Sequence, residues 1–316
     1  MMYTGLRPEF ESPQHKTNYV YDHIALASHP ASNVQWHEFD IEKELGFTLP
    51  VKNQGSSSSC VGQAAATYAY VLNSIELRRI YFSKTKEVSP ELSARSVYSQ
   101  IAQPFGGAYM GDAFRLMVKG GLNKEQDVPS YENGLPPTEQ FMTTKDWKTS
   151  LLEYKAKNYQ GKEYRFIRNT YSIDLVAQAI VENNGCLLGV YVGRDSSWLG
   201  SEPRYDEYRG YSHLVYAGKL RVYEGKRWIG ILNSWGENIG ERGWQWLSED
   251  FFVSGGVHTA GVMIDKPNSV LVWILDKNGK PRAFPTSFVK TIAYLLGRNY
   301  TLVDRYDFDE EKILKS

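Results

Sequence analysis

Pro50-Val51-Lys52-Asn53-Gln54-Gly55-Ser56-Ser57-Ser58-Ser59-Cys60 runs directly into Val61-Gly62-Gln63-Ala64-Ala65-Ala66-Thr67-Tyr68-Ala69-Tyr70-Val71-Leu72. The first part reads as a loop and the second as a helix. Val61, Ala65, Tyr68, Leu72 and Ile75 recur at spacings of three and four, the period of one buried helix face. Alanines and further apolar residues extend beyond that stripe, as in a helix buried on several sides. Cys60 is thus predicted at a helix N-terminus. Unpaired amides and the helix dipole favour an anion there, and so favour thiolate over thiol. A lone cysteine is more often a small core residue, so this position gains meaning only through partners.

Around this segment the sequence divides. Residues 1–46 carry Pro8, Pro13 and Pro30 with weak periodicity and read as an extended N-terminal arm lying over a folded body. Ser89-Pro90-Glu91 predicts a second helix start, with Ser as cap and Pro at the first helical position. A third helix is expected over about 112–119, stopping at Gly120-Gly121, and others over 146–157 and 172–182. Strands are expected at 187–192, 213–217, 228–232 and 243–247. Helices first and strands later give an α+β fold in two segregated halves, and a cleft between such halves is a usual place for a site. After Asp265 a further strand, a turn at Asn278-Gly279 and a charged tail follow.

Thirty-six basic and 36 acidic residues balance, which gives no electrostatic reason to expect nucleic acid or an anionic membrane as partner. Hydrophobic residues at 42% and charged residues at 23% fit a globular chain and argue against disorder. With two cysteines, Cys60 and Cys186, neither a disulfide scaffold nor a thiolate-rich zinc site is expected. The first residues lack the apolar core of a signal peptide, and Val270–Leu275 is too short to span a bilayer. A reducing, cytoplasmic location is the expectation. No metal and no cofactor is expected.

A thiolate nucleophile needs a proton-accepting partner and a group that orients it. Of six histidines, His15, His23, His29 and His37 lie in the arm, and His258 in a Gly-rich turn. His213 instead opens an apolar strand, a rigid mounting for an imidazole. By itself it is as readily a half-buried sheet histidine. Asn233 closes the strand 228–232, and its carbonyl can accept an imidazole N–H and fix the tautomer. Trp235 can shield that bond from water. Gln54 lies six residues before Cys60, and its amide can donate to an oxyanion beside a backbone N–H of Cys60. Cys186 starts an apolar strand and reads as inert core.

Together these segments resemble the papain-like (C1) cysteine peptidases. Pro50 to Cys60 is similar to their nucleophile segment, including the Gln-to-Cys spacing. Ser212-His213-Leu214-Val215-Tyr216-Ala217-Gly218 is similar to their histidine strand. Trp228 to Gly236, followed by Gly240-Glu241-Arg242-Gly243-Trp244, is similar to their Asn-Ser-Trp-Gly segment. The resemblance implies a peptidase domain over 47–265, with a helical half to about 170 and a β-barrel-like half from about 171. It leaves 266–316 as a C-terminal extension. It implies Cys60 as nucleophile, His213 as general acid/base, Asn233 as its orienting group and Gln54 as oxyanion donor. Gly106-Gly107 falls where the family has a substrate-lining Gly-Gly segment; as a bare sequence it is equally an ordinary turn.

The chain departs from the family at Val61, where Trp is usual, and at Ser57, where a disulfide-forming Cys is usual. The segment before Pro50 is too short for the family's helical propeptide, so control by zymogen cleavage is not expected. The leading expectation is hydrolysis of peptide or protein substrates. One alternative is a binding or assembly module whose cleft is plugged by its own termini or a partner docked through the arm or extension. Another is a Cys-dependent peptidoglycan hydrolase or acyltransferase.

Overall fold

The computed structural model describes residues 5–7, 36, 39–81, 89–206, 210–264, 271–275 and 281–285. The chain divides after Asp265 into two compact units. In the second, β7 (Leu271–Leu275) and β8 (Pro281–Pro285) pair antiparallel. The turn expected at Asn278-Gly279 and the charged tail lie outside the described residues, as do His15, His23, His29 and His37.

In the first unit helices come early. They are α1 (Ile41–Leu45), α2 (Cys60–Tyr81), α3 (Ala94–Ile101), α4 (Met110–Lys119), α5 (Glu139–Thr143), α6 (Ser150–Ala156), α7 (Ile173–Asn183) and α8 (Glu249–Val253). The strands are β1 (Glu163–Phe166), β2 (Cys186–Val192), β3 (Tyr211–Tyr223), β4 (Lys226–Leu232), β5 (Trp244–Ser248) and β6 (Val257–Ile264). They form one antiparallel sheet in the order β1-β6-β2-β3-β4-β5. The α+β expectation holds.

Helix α2 begins at Cys60 as expected, and its near-continuous burial explains the apolar surround. A Cβ at Gly62 would lie 2.7 Å from the Ala94 carbonyl oxygen and 2.8 Å from Tyr98 Cβ, so glycine allows α2 and α3 to cross closely. Helix α3 does not start at Ser89-Pro90. Its cap is Ser93, whose hydroxyl accepts from Ser96 N. Residues 91–92 are held extended instead: Glu91 O accepts Glu125 N, and Leu92 bridges Lys124. Likewise α6 starts at Ser150 behind its Thr149 cap rather than near Asp146, whose carboxylate is drawn to Arg95 at 2.5 Å.

The arm ends earlier than residue 46. Asp40 caps α1, Ile41 is fully buried, and Lys219 Nζ meets Glu42 Oε2 at 2.5 Å. Residues 39–45 therefore belong to the body. His258 does not sit in a turn: it is the second residue of β6, directly after Gly255-Gly256.

Candidate active site

Chain-distant segments are stitched together at the tip of α2. Gln54 N donates to Ser234 O at 2.8 Å and Gly236 N to Lys52 O at 3.0 Å, while Asn53 bridges Trp235. This pairing seats Gln54 beside the Asn233-Ser234 end of β4. Ser234 Oγ donates to Gln54 Oε1 at 2.8 Å, which turns the amide nitrogen toward the serine loop. There Gln54 Nε2 donates to Ser57 O at 2.9 Å. Ser57 occupies the disulfide position of the family, and its hydroxyl instead donates to Gln54 O at 2.6 Å and accepts from Ser59 Oγ at 2.6 Å.

His213 lies near the start of β3, opposite Val190 of β2. Its Nε2 is 2.9 Å from Asn233 Oδ1. The orientation follows from hydrogen-bond logic. Fully buried Gln245 spends both amide hydrogens on carbonyls, Trp198 O at 2.9 Å and Gly200 O at 2.7 Å. Its Oε1 then accepts from Asn233 Nδ2 at 2.7 Å. Asn233 is thereby turned with its oxygen toward Ser234 N, at 2.7 Å, and toward His213. An acceptor-only oxygen requires the proton on Nε2. Nδ1 then presents a lone pair; it is buried and lacks a hydrogen-bond partner among the described residues. Trp235 covers the imidazole, with centroids 4.6 Å apart and planes inclined by 22°.

Gln245 was not singled out in the sequence, because one Gln in a strand of tryptophans carries no pattern. Replacing it with Leu strands the Asn233 amide and two carbonyls. We expect Gln245→Leu to lower the unfolding free energy by about 2–4 kcal/mol, read from urea denaturation midpoints at unchanged slope.

The sulfur of Cys60 is buried at the N-terminus of α2. Backbone amides of Leu214, Gly5 and Val61 face it and favour the thiolate. Leu214 follows His213, so sulfur and imidazole share one end of β3. Burial nevertheless outweighs those amides and pushes the thiol up to about 11. Burial also brings His213 down to about 4, against the bond from Asn233. Burial thus opposes the thiolate that helix position favours, and disfavours charge on sulfur and imidazole alike. Cys186 is core, as expected; its Sγ donates to Gly261 O at 3.2 Å and burial pushes its thiol far up.

What closes the site is the chain itself. Leu6 N donates to Ser212 O at 3.3 Å, Arg7 N to Ala108 O at 2.8 Å, and Ala108 N to Gly5 O at 2.7 Å. Residues 5–7 therefore run as a short strand parallel to the segment containing Gly106-Gly107. Arg7 Nη2 donates to Gly106 O at 2.7 Å. Leu6 is buried, and a Cβ at Gly189 would lie 2.6 Å from its Cδ2. Both Gly106 and Gly107 have positive φ, +79° and +75°, and a Cβ at Gly107 would overlap the Gly5 carbonyl oxygen. The two glycines thus run beside residues 5–7, whose backbone approaches them closely. His258 joins the same rim, with Nε2 2.7 Å from Ser212 Oγ.

Comparison with known proteins agrees with this architecture. The profile of the family described as "Papain family cysteine protease" matches residues 35–263. Cathepsin Q of Rattus norvegicus is 26% identical over 259 residues, 76% of this chain and 68% of that protein. Testin-2 of the same species is 25% identical over 258 residues, 77% and 68% respectively. Among solved structures, xylellain, a cysteine protease from Xylella fastidiosa, superposes with a TM-score of 0.60 at 20% identity, covering 83% of this chain and 96% of that one. The digestive procathepsin L2 proteinase of Tenebrio molitor larval midgut gives 0.58 at 18% identity, covering 83% and 78%. A match across most of the first unit, on top of this Cys–His–Asn–Gln arrangement, places the chain in the papain family of cysteine proteases.

Proposed function

We propose that this chain hydrolyses peptide bonds through Cys60 and His213, and that its resting form is latent. The observation that carries the first part is the imidazole tethered through Nε2 to Asn233 at 2.9 Å, with Nδ1 unpartnered at the β3 end that meets the sulfur. When the cleft opens, water relieves the desolvation of both groups and the sulfur proton passes to Nδ1. The thiolate attacks the scissile carbonyl carbon. Gln54 Nε2 and the Cys60 amide stabilise the tetrahedral oxyanion. His213 Nδ1–H protonates the leaving amine as the C–N bond breaks, giving an acyl-enzyme. Nδ1 then takes a proton from water, whose oxygen adds to the acyl carbon; the C–S bond breaks, the acid leaves, and the expelled thiolate regains the proton from Nδ1.

Gln54→Ala tests the oxyanion role. It is expected to lower kcat on the order of 10²-fold with KM little changed, as checked with a fluorogenic peptide amide. A fall in KM-governed binding alone would remove Gln54 from this role.

The occupied cleft supports the second part and speaks for the plugged-cleft alternative in a modified form. The residues assigned to the chemistry are all retained, and residues 5–7 lie against the Cys60 sulfur and Ser212. Both observations fit a peptidase held shut better than a scaffold that has discarded its chemistry.

A further inference from the structure

Two backbone segments bound the space in which Gly5 sits. On one side is Ser58, two residues before Cys60: a Cβ at Gly5 would overlap the Ser58 carbonyl oxygen. On the other is Gly107, whose missing Cβ makes room for the Gly5 carbonyl. Ser58 and Gly107 belong to different loops, and among the described residues no backbone hydrogen bond joins them. They are joined by side chains. Ser58 N donates to Glu139 Oε2 at 2.6 Å. Tyr98 Oη donates to Glu139 Oε1 at 2.6 Å. Gly107 N donates to Tyr98 Oη at 2.8 Å.

Each link has one possible direction. Amides only donate, a carboxylate only accepts, and a phenol gives one hydrogen and can accept another. Burial and the neighbouring Glu139 keep the Tyr98 phenol protonated, so it remains the donor to Glu139. Both middle links of the relay are carried on helices, Tyr98 within α3 and Glu139 at the first position of α5. An ionised acceptor also makes these bonds stronger than neutral ones.

We propose that Tyr98 and Glu139 are positioning residues that fix the distance between Ser58 and Gly107, and with it the width of the cleft beside Cys60. Their side-chain hydrogen bonds go to each other, to Ser58 and to Gly107, and not to the sulfur or the imidazole. They hold the loop carrying the Cys60 amide at a set distance from the backbone along which an extended peptide pairs. This inference rests on the reading of Cys60 as nucleophile and of the cleft as the peptide site.

The test uses the full-length chain carrying Gly5→Val, so that the internal segment does not compete, with Tyr98→Phe, Glu139→Gln and their combination. A carboxamide has a single oxygen and cannot accept from Ser58 N and Tyr98 Oη together as the carboxylate does. Each single change is expected to raise KM for a peptide amide about tenfold, with kcat changed less, and the pair is expected to do no more than the larger single. In the otherwise unaltered chain, amide hydrogen exchange at Ser58 should quicken in Tyr98→Phe, although Tyr98 does not touch Ser58. Exchange at Gly107 should quicken in Glu139→Gln.

Effects on KM that multiply to about a hundredfold, or exchange that changes only at the amide touched directly, would overturn the relay. If Tyr98→Phe does not fold, unchanged exchange at Gly107 in Glu139→Gln overturns it alone. Activity that survives Cys60→Ala in the same background would sink the peptidase reading, while the exchange results would still judge the relay.

Discussion

Cys60→Ala is expected to lose peptide hydrolysis by at least about 10⁴-fold, the scale seen when a covalent nucleophile is removed from such a site. The reason is local. No second thiol can substitute, because Cys186 is buried in the sheet and its sulfur is committed to the Gly261 carbonyl. Water alone would lack the proton transfer from Sγ to His213 that creates the attacking anion. The residue lies at a helix tip, and alanine fits both the backbone and the packing, so stability should change little. Mass spectrometry after treatment with a peptidyl epoxide should find one adduct, on residue 60 of the wild type, and none on the variant. Equal hydrolysis by both proteins would end the assignment of Cys60 as nucleophile.

The second large effect runs the other way. Gly5→Val is expected to raise kcat/KM for a peptide amide by roughly 10²-fold, because its side chain has no space against the Ser58 carbonyl. The segment it dislodges is held by three backbone hydrogen bonds, two from Arg7 to Gly106 O, and the buried Leu6. At about 1 kcal/mol per bond and about 2 for the leucine, less about 1–2 kcal/mol per ordered residue, a net of about 1–4 kcal/mol remains. The middle of that range converts to roughly two orders of magnitude in the closed-to-open ratio. The same release should move the pH dependence of Cys60 alkylation. Closed, the thiol stays protonated until about pH 11 and His213 is neutral above about pH 4, so alkylation should climb through the alkaline range. Opened, desolvation is relieved, and the climb should begin at lower pH. Unchanged activity together with an unchanged alkylation profile would show that residues 5–7 do not gate the cleft.

Much of this was legible in the linear chain, and the parts that were not share a cause. Cys60, Gln54, His213 and Asn233 could be named because the three ordered segments that carry them resemble those of a known family; singly, each reads as readily as core, loop or turn. The start of α2 was readable because its alanine-rich period is local. Helix α3 was misplaced because Ser89-Pro90 is a good local start that tertiary contacts override: residues 91–92 bond across to 124–125. Strand β6 escaped notice because Gly255-Gly256 before it dominates the local signal, and β1 because it is short and charged. The opposing pull of burial on the thiol was hidden for a similar reason. Helix position is visible in the sequence, whereas the covering of the sulfur by residues more than fifty positions earlier is not. Gln245, Tyr98 and Glu139 act only through partners distant in sequence, and nothing nearby marks them.

The internal strand at residues 5–7 shares a polypeptide with the cleft it fills, and that has a consequence for titration. An occupant on the same polypeptide presents itself at an effective concentration that does not change with the dilution of the protein. Latency would therefore survive infinite dilution, and a scarce substrate could not compete its way in. Only a locally abundant peptide, or one that grips the groove far more tightly than Gly5-Leu6-Arg7 does, would displace it.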